Sequence, residues 1–383
     1  MEPTEAKDRV RGRVDHDRAT LIDLSHRIHA NPELMYQERL SAGWCADLLE
    51  AAGYAVQRGV AHLETAIVGT YGPGPLNVAL LIEYDALPEV GHACGHNIIA
   101  GSAVGAALAL TEVAEELGLR VTAIGSPAEE GGGGKAELID VGAFEGVHAA
   151  LMVHPGPSDV AAPEVLAAQT LEVTYTGRPA HAGGFPERGI NAADAVVIAQ
   201  VAIGLLRQHL LGSDRVHGIV TRGGEASNII PALVHAEWMV RASNAARLEE
   251  LKEKVRLCCE AGALATGASM EIMERPLYAD MIHDSELVDA YVANAEKLGR
   301  SFAATSAFNR FSTDMGNVSY VVPSIHPVIE IDAAGASNHQ PEFAAATVTP
   351  SGDQAVIDGA VALAWTAIDA ATDKRVRDRL LGD

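Results

Sequence analysis

Aromatic residues make up only 4% of this 383-residue chain, and cysteine occurs four times. With few large rings, the core falls to Ala, Gly, Val and Leu, a composition suited to helices packed tightly on a sheet. The cysteines are Cys45, Cys94, Cys258 and Cys259. Two are adjacent and Cys45 sits in a helical pattern, so they do not read as a disulfide framework; a reducing cytoplasm is the expected location. Positive charge is short too: 28 Lys and Arg against 51 Asp and Glu leave a formal net charge of −23. A surface of that sign repels phosphate backbones and anionic lipid, so neither nucleic acid nor a membrane is an expected partner. Uninterrupted apolar runs of about 18 residues are missing, and residues 1–18 alternate acidic and basic side chains. Neither a membrane span nor an export signal is expected.

What is present is an ordinary globular balance, 48% hydrophobic and 21% charged, in a chain long enough for two domains. Residues 15–52 read as a helix broken at Asn31-Pro32 and ending at Gly53. Segments 66–71 and 77–83 read as strands, 98–117 as a buried helix, and 120–126 and 149–153 as further strands. From about residue 167 the texture changes. Strand-like 169–176, helical 191–209, strands 218–221 and 234–242, helix 245–266 and strand 269–275 follow in β-α-β-β-α-β order, that of a ferredoxin-like module. After Pro276 the α/β texture resumes and ends in a helix over about 351–371. The expected organisation is a domain of residues 1–166 and 277–383 with residues 167–276 inserted into it.

The chemistry concentrates just past strand ends. Gly91-His-Ala-Cys-Gly-His-Asn97 places a thiol and an imidazole, Cys94 and His96, within one turn. Glu129 and Glu130 precede four consecutive glycines, Gly131–Gly134. A thiolate and an imidazole beside one ligating carboxylate, with a second carboxylate to take a proton, make the donor set of a hydrolytic metal centre. Singly, a buried cysteine is usually a small hydrophobe and a lone histidine a core residue; together, in a Gly-bounded loop, they favour metal. His154, before Pro155, ends the next strand, and His339 lies in the polar loop Ser337-Asn-His-Gln-Pro341. Asp85 reads equally as a turn residue or as the carboxylate that orients a ligating imidazole. In the inserted module His181 and Asn228 stand beside turns. Arg241 reads as either a substrate clamp or a solvated strand residue.

With these motifs assembled, the chain resembles the co-catalytic metallopeptidase family of aminoacylases, carboxypeptidases and amidohydrolases. The branch holding plant auxin–amino acid conjugate hydrolases and bacterial p-aminobenzoyl-glutamate hydrolases is the most similar. The likeness runs from His29-Ala-Asn-Pro-Glu-Leu34 through Asp-Ala-Leu-Pro, His-Ala-Cys-Gly-His, Pro-Ala-Glu-Glu-Gly and Ala-His-Ala to Ser312-Thr-Asp-Met-Gly-Asn317. Asn97, Tyr84-Asp85 and Ser312-Thr-Asp314 depart from the wider branch and resemble its p-aminobenzoyl-glutamate hydrolase and dipeptidase sub-branch.

The resemblance implies an α/β fold: a mixed-sheet catalytic domain with helices on both faces, plus an inserted ferredoxin-like α+β lid that also dimerises. It implies two divalent metal ions, zinc or manganese, with cobalt or nickel open. Cys94 would bridge them, His96 and His154 completing one and Glu130 and His339 the other. Glu129 would be the general base, while His181 and Asn228 would hold the substrate. The expected substrate is a small N-acyl or aryl-amidated amino acid or a dipeptide. A hydrolytic deaminase on the same scaffold and a non-catalytic metal-binding regulator are the alternatives, and Glu129 argues against the second.

Overall fold

In the computed structural model, which describes residues 1–302 and 311–382, the chain divides into two units, Met1–Glu164 with Met281–Asp383 and Val165–Asp280. The first unit opens with helices α1 (Pro3–Ala30) and α2 (Arg39–Ala51) and strands β1 (Ala55–Val60), β2 (Leu63–Tyr71) and β3 (Leu76–Glu83). Helices α3 (His96–Leu110) and α4 (Ala114–Leu117), strand β4 (Leu119–Ser126), helix α5 (Gly134–Asp140) and short strands β5 (Ala149–Leu151) and β6 (His154–Gly156) follow. The second unit holds β7 (Ala167–Thr176), α6 (Ala192–Leu206), β8 (Arg215–Arg222), β9 (Leu233–Ala242), α7 (Ala245–Thr266) and β10 (Ser269–Glu274). The chain then returns to the first unit with α8 (Ser285–Glu296), α9 (Met315–Ser319), β11 (Ser324–Ile325), β12 (Val328–Glu330), α10 (Pro341–Ala346), α11 (Pro350–Thr372) and α12 (Lys374–Leu381).

The main sheet has the order β1-β2-β4-β3-β5-β11. It is mixed: β1, β2 and β4 pair antiparallel, whereas β4, β3, β5 and β11 run parallel. Strand β3 is buried along its whole length, because both of its faces are covered. Val78, Leu80 and Ile82 enter a large core with α1, α3 and α11, while Ala79 and Leu81 meet Leu138 of α5 and Met315 of α9. Two-sided burial is why the strand reads as a mostly apolar run. Helix α11 is long and apolar enough to cross a membrane by length and composition, yet 83% of its most apolar window is buried within the protein.

Strands β3 and β4 end level, Glu83 opposite Ser126. The loops that follow them therefore emerge side by side at one sheet edge, where open α/β sheets bind ligands.

The second unit is an antiparallel sheet of order β10-β7-β9-β8 with α6 and α7, the strand order of a ferredoxin-like module. Val234, Ala236, Trp238, Val240 and Ala242 alternate along β9 into its core.

Several boundaries differ from the pattern reading. Helix α1 starts at Pro3, not at residue 15. Ala6, Val10 and Val14 form a buried stripe at four-residue spacing, hidden in the sequence by the charged side chains between them; Arg11–Asp15 and Arg13–Asp17 pair one turn apart on the outer side. Strand β1, mostly exposed along its length, gave no apolar signal. The helix over 98–117 divides into α3 and α4, and the strand over 149–153 ends at Leu151, so His154 opens β6 instead of closing β5.

Candidate metal centre

Each candidate side chain is delivered by a different element. Asp85 lies just past β3, Cys94 in the turn into α3, and His96 is the first residue of that helix. Glu129 and Glu130 lie between β4 and α5, His154 opens β6, and His339 stands just before α10. The glycine between Cys94 and His96 is required by geometry. Gly95 has φ +83°, and a Cβ there would sit 2.4 Å from Pro155 Cγ. Only glycine lets the Cys-Gly-His turn close against the His154-Pro155 segment.

Two ligand sets share Cys94, and a further set joins His96, Glu129 and Glu130. One atom each from Cys94, His96 and His154 lies within 4.8 Å of the others, and so do single atoms from Cys94, Glu130 and His339. Cys94 belongs to both, with Sγ 3.4 Å from His154 Nε2. The imidazoles are oriented from behind. His96 Nδ1 is 2.8 Å from the Asp85 carbonyl oxygen and 3.0 Å from Asp85 Oδ1. With Nδ1 donating to these oxygens, Nε2 is turned into the cluster as a lone-pair donor. His154 Nδ1 likewise donates to the Pro155 carbonyl at 2.7 Å. Asp85 thus takes the imidazole-orienting reading over the turn reading.

The residues fit divalent ions. Among the described residues, His96 Nε2 and Glu130 Oε1 are buried with no hydrogen-bond partner, an arrangement that is costly unless something else satisfies them. The electrostatics point the same way. Burial, with Glu130 beside it, pushes the Cys94 thiol well above its ordinary range. Burial, then the carboxylates of Glu83, Glu130 and Asp314, push Glu129 far above a normal glutamate. Burial raises Glu130 to about 7 and lowers His154 to about 4. A cation relieves this crowding by pairing with thiolate, carboxylate and neutral imidazole together.

The loop carrying both glutamates is clamped by buried acids. Asp85 Oδ2 accepts from Glu130 N at 2.9 Å, and Asp314 Oδ2 accepts from Lys135 N at 2.9 Å. Glu38 accepts from Ala128 N at 2.9 Å, Tyr36 N at 2.8 Å and Thr65 Oγ1 at 2.8 Å. Burial raises the Glu38 carboxyl to about 7. These bonds hold Ala128, the residue before Glu129, at φ +58°, a left-handed conformation that a non-glycine residue adopts only under constraint.

In the inserted unit His181 and Asn228 are exposed neighbours. His181 bridges Ile229 across two extended segments, and Ala182 N donates to the Asn228 carbonyl at 3.0 Å. Arg241 is not brought to them. It stands at the other end of β9, eight residues beyond Leu233 and so roughly 26 Å along the strand, half-buried and donating to Met239 Sδ at 3.1 Å.

Sequence reasoning passed over two buried charges, Glu83 and Lys135, and quoted Asp314 only as part of a motif. The Lys135 ammonium pairs with a Glu83 oxygen and with Asp314 Oδ1 at 2.5 Å, all three side chains wholly buried. Burial opposes that ammonium, but Asp314 and Glu83 outweigh it and hold Lys135 above the ordinary lysine range. The signals were a carboxylate closing an otherwise apolar strand and a lone lysine after four glycines.

Comparison with known proteins places this geometry. The model of Peptidase family M20/M25/M40 matches residues 79–353. The Xaa-Arg dipeptidase of Mus musculus is 39% identical over 382 residues, which covers 95% of this chain and 88% of that one. A p-aminobenzoyl-glutamate hydrolase subunit of Escherichia coli is 32% identical over 279 residues, 67% of this chain and 58% of its own length. Among solved structures, the YXEP protein of Bacillus subtilis, a dinuclear metal binding peptidase from the M20 family, shares the fold with a TM-score of 0.69 at 21% identity, covering 92% of this chain and 98% of that one.

Proposed function

This chain belongs to peptidase family M20/M25/M40 and is a metal-dependent hydrolase acting on C–N bonds, and we propose that it splits dipeptides or N-acylated amino acids with Glu129 as the proton carrier. The observation that carries this reading is Cys94, shared by two ligand sets, with Glu129 directly before the Glu130 of one set.

Cys94, His96 and His154 would hold one divalent cation, and Cys94, Glu130 and His339 a second. Once bound, the two cations supply Lewis acidity toward the scissile carbonyl and toward water. Asp85 orients the His96 ring from Nδ1, so that Nε2 would face the cation. Glu129 takes a proton from the attacking water and returns it to the leaving nitrogen, giving a carboxylic acid and an amine with atoms and charge balanced.

For the substrate we propose a dipeptide ending in a basic residue. Support comes from the near full-length likeness to the Xaa-Arg dipeptidase and from a net charge of −23, whose field draws cationic molecules.

The test is Glu129→Gln in metal-loaded protein, assayed on dipeptides ending in Arg or Lys and on p-aminobenzoyl-glutamate. The variant should retain its metal and lose at least about 100-fold in kcat; wild-type turnover would remove Glu129 from the mechanism. A higher kcat/KM for p-aminobenzoyl-glutamate in the parent protein would overturn the substrate choice.

A further inference from the structure

A loop between α1 and α2 borders the metal centre with side chains that the core does not use. Leu34, Met35 and Tyr36 are 37%, 39% and 39% exposed, three large apolar residues in a row. A contiguous exposed run of this kind beside a ligand cluster marks a binding surface. The loop passes the ligand-bearing segments one after another. Pro32 Cβ lies 3.8 Å from the Cβ position of Gly91, at the head of the Cys94–His96 motif. Leu34 bridges Ala86, the residue after Asp85, and Ala86 N donates to the Glu33 carbonyl at 2.8 Å. Met35 Sδ lies 3.6 Å from the Cβ position of Gly131, the residue after Glu130. Tyr36 covers Gly132, where a Cβ would meet its hydroxyl oxygen at 2.5 Å, and that hydroxyl donates to the Gly132 carbonyl at 2.9 Å. Two of the four glycines after Glu130 thus make room for this loop.

The loop is also fixed in place. The Glu33 carboxylate accepts from Leu40 N and Ser41 N, each at 2.9 Å. Glu38 Oε1 accepts from Tyr36 N at 2.8 Å and from Ala128 N at 2.9 Å, tying the loop to the segment that carries both glutamates. Apolar side chains held on so many backbone anchors form a surface built before any ligand arrives, which lowers the ordering cost of binding.

We propose that Leu34 and Met35 are specificity-determining residues: they form an apolar wall of the substrate site that takes a large apolar side chain on the acyl side of the scissile amide. The acyl side follows from charge. In the dipeptides proposed above the leaving amine carries the basic residue, which gains nothing from an apolar wall, whereas an alkyl or aryl group on the carbonyl half does. The inference therefore rests on that reading of the site as a hydrolase of dipeptides or N-acylated amino acids.

The test uses two metal-chelating probes, acetohydroxamate and 4-methylpentanohydroxamate, which differ only in an apolar tail. Calorimetry on manganese-loaded protein gives the ratio of their affinities, a readout independent of turnover. In the parent the tailed probe should bind about 10-fold more tightly, a fraction of what full burial of four added carbons would give. In Leu34→Ser/Met35→Ser the ratio should fall to about twofold or less. A parental ratio near one, or a double variant that keeps the parent's ratio, overturns the proposal. Should the double variant fail to fold, Met35→Ser alone is read in the same way, with the ratio expected at about half the parent's or less. If the parent splits neither dipeptides nor N-acylated amino acids, the proposed reaction fails, and the ratio still judges the wall. Absence of binding by either probe would overturn both readings.

Discussion

The two units place their charges in opposite ways. In the first, Glu83, Asp85, His96, Lys135 and Asp314 are at most 1% exposed and meet in one cluster. In the inserted unit most ion pairs ring the surface: Arg256 with Glu253 and Glu260, Arg222 with Glu225, Arg275 with Glu172. Asp214 and Lys252 are its buried charged side chains among the described residues. Desolvating a charge costs several kcal/mol, whereas an exposed pair contributes little in either direction. A sequence holding five ionisable groups in a dry interior therefore marks where its chemistry lies. The difference can be broken most sharply where the buried cluster depends on backbone.

Gly134→Ala should have the largest effect. The added Cβ would lie 1.9 Å from the Pro127 carbonyl oxygen, so the loop between β4 and α5 must open. That would pull Lys135 from Glu83 and Asp314 and leave unpaired buried charge. A loss of more than about 4 kcal/mol in urea unfolding is expected. A variant as stable as the parent would show that the cluster does not depend on this close approach.

Asp85→Asn should come next, acting on metal instead of on the fold. The carboxylate meets His96 Nδ1 and accepts from Glu130 N, so it steadies one member of each ligand set. Loss of its charge should weaken metal binding about 10- to 100-fold, as for other carboxylates behind a ligating histidine. Chelator competition measures this, and unchanged affinity would reduce Asp85 to a turn residue.

How much of this was legible follows from the same contrast. Cys94, His96 and Glu130 stood out because ligand-type residues are chemically distinct and fall beside strand ends, a place that apolar periodicity reveals; His154 and His339 were weak singly and joined the ligand set only through the family resemblance. Lys135 did not, because its partners Glu83 and Asp314 lie 52 and 179 residues away. The four glycines before it are a local hint, but by themselves they do not tell a buried lysine from a solvated one. Helix α1 was read too short because its stripe of Ala6, Val10 and Val14 is narrow and its flanks are charged. The inserted module was easier: β9 alternates cleanly, and one-sided sheets display their pattern in sequence. Even there Arg241 was legible as a residue type but not as a position, since strand length separates it from His181 and Asn228.

The smallest effect is expected from Asp214→Asn, the inserted unit's own buried acid. Burial alone would raise the Asp214 carboxyl, but the Arg247 guanidinium, with Nη2 2.7 Å from Oδ2, and the Leu211 N–H outweigh it and hold it below the ordinary aspartate value. A depressed folded-state pKa contributes stability that is complete above the unfolded value near 4 and is lost as pH falls through the folded value. At pH 7 the variant should be about 1–2 kcal/mol less stable, the scale of one charge-assisted hydrogen-bonded pair. Below about pH 4 that gap should close, because the parent's carboxylate then takes up a proton. Unfolding curves of both proteins across this range decide the matter. A gap that persists undiminished in acid would mean that Asp214 acts through its shape and hydrogen bonds, with its charge contributing nothing. In that case even the buried acid of the inserted unit is structural, and the contrast with Glu83, Lys135 and Asp314 widens.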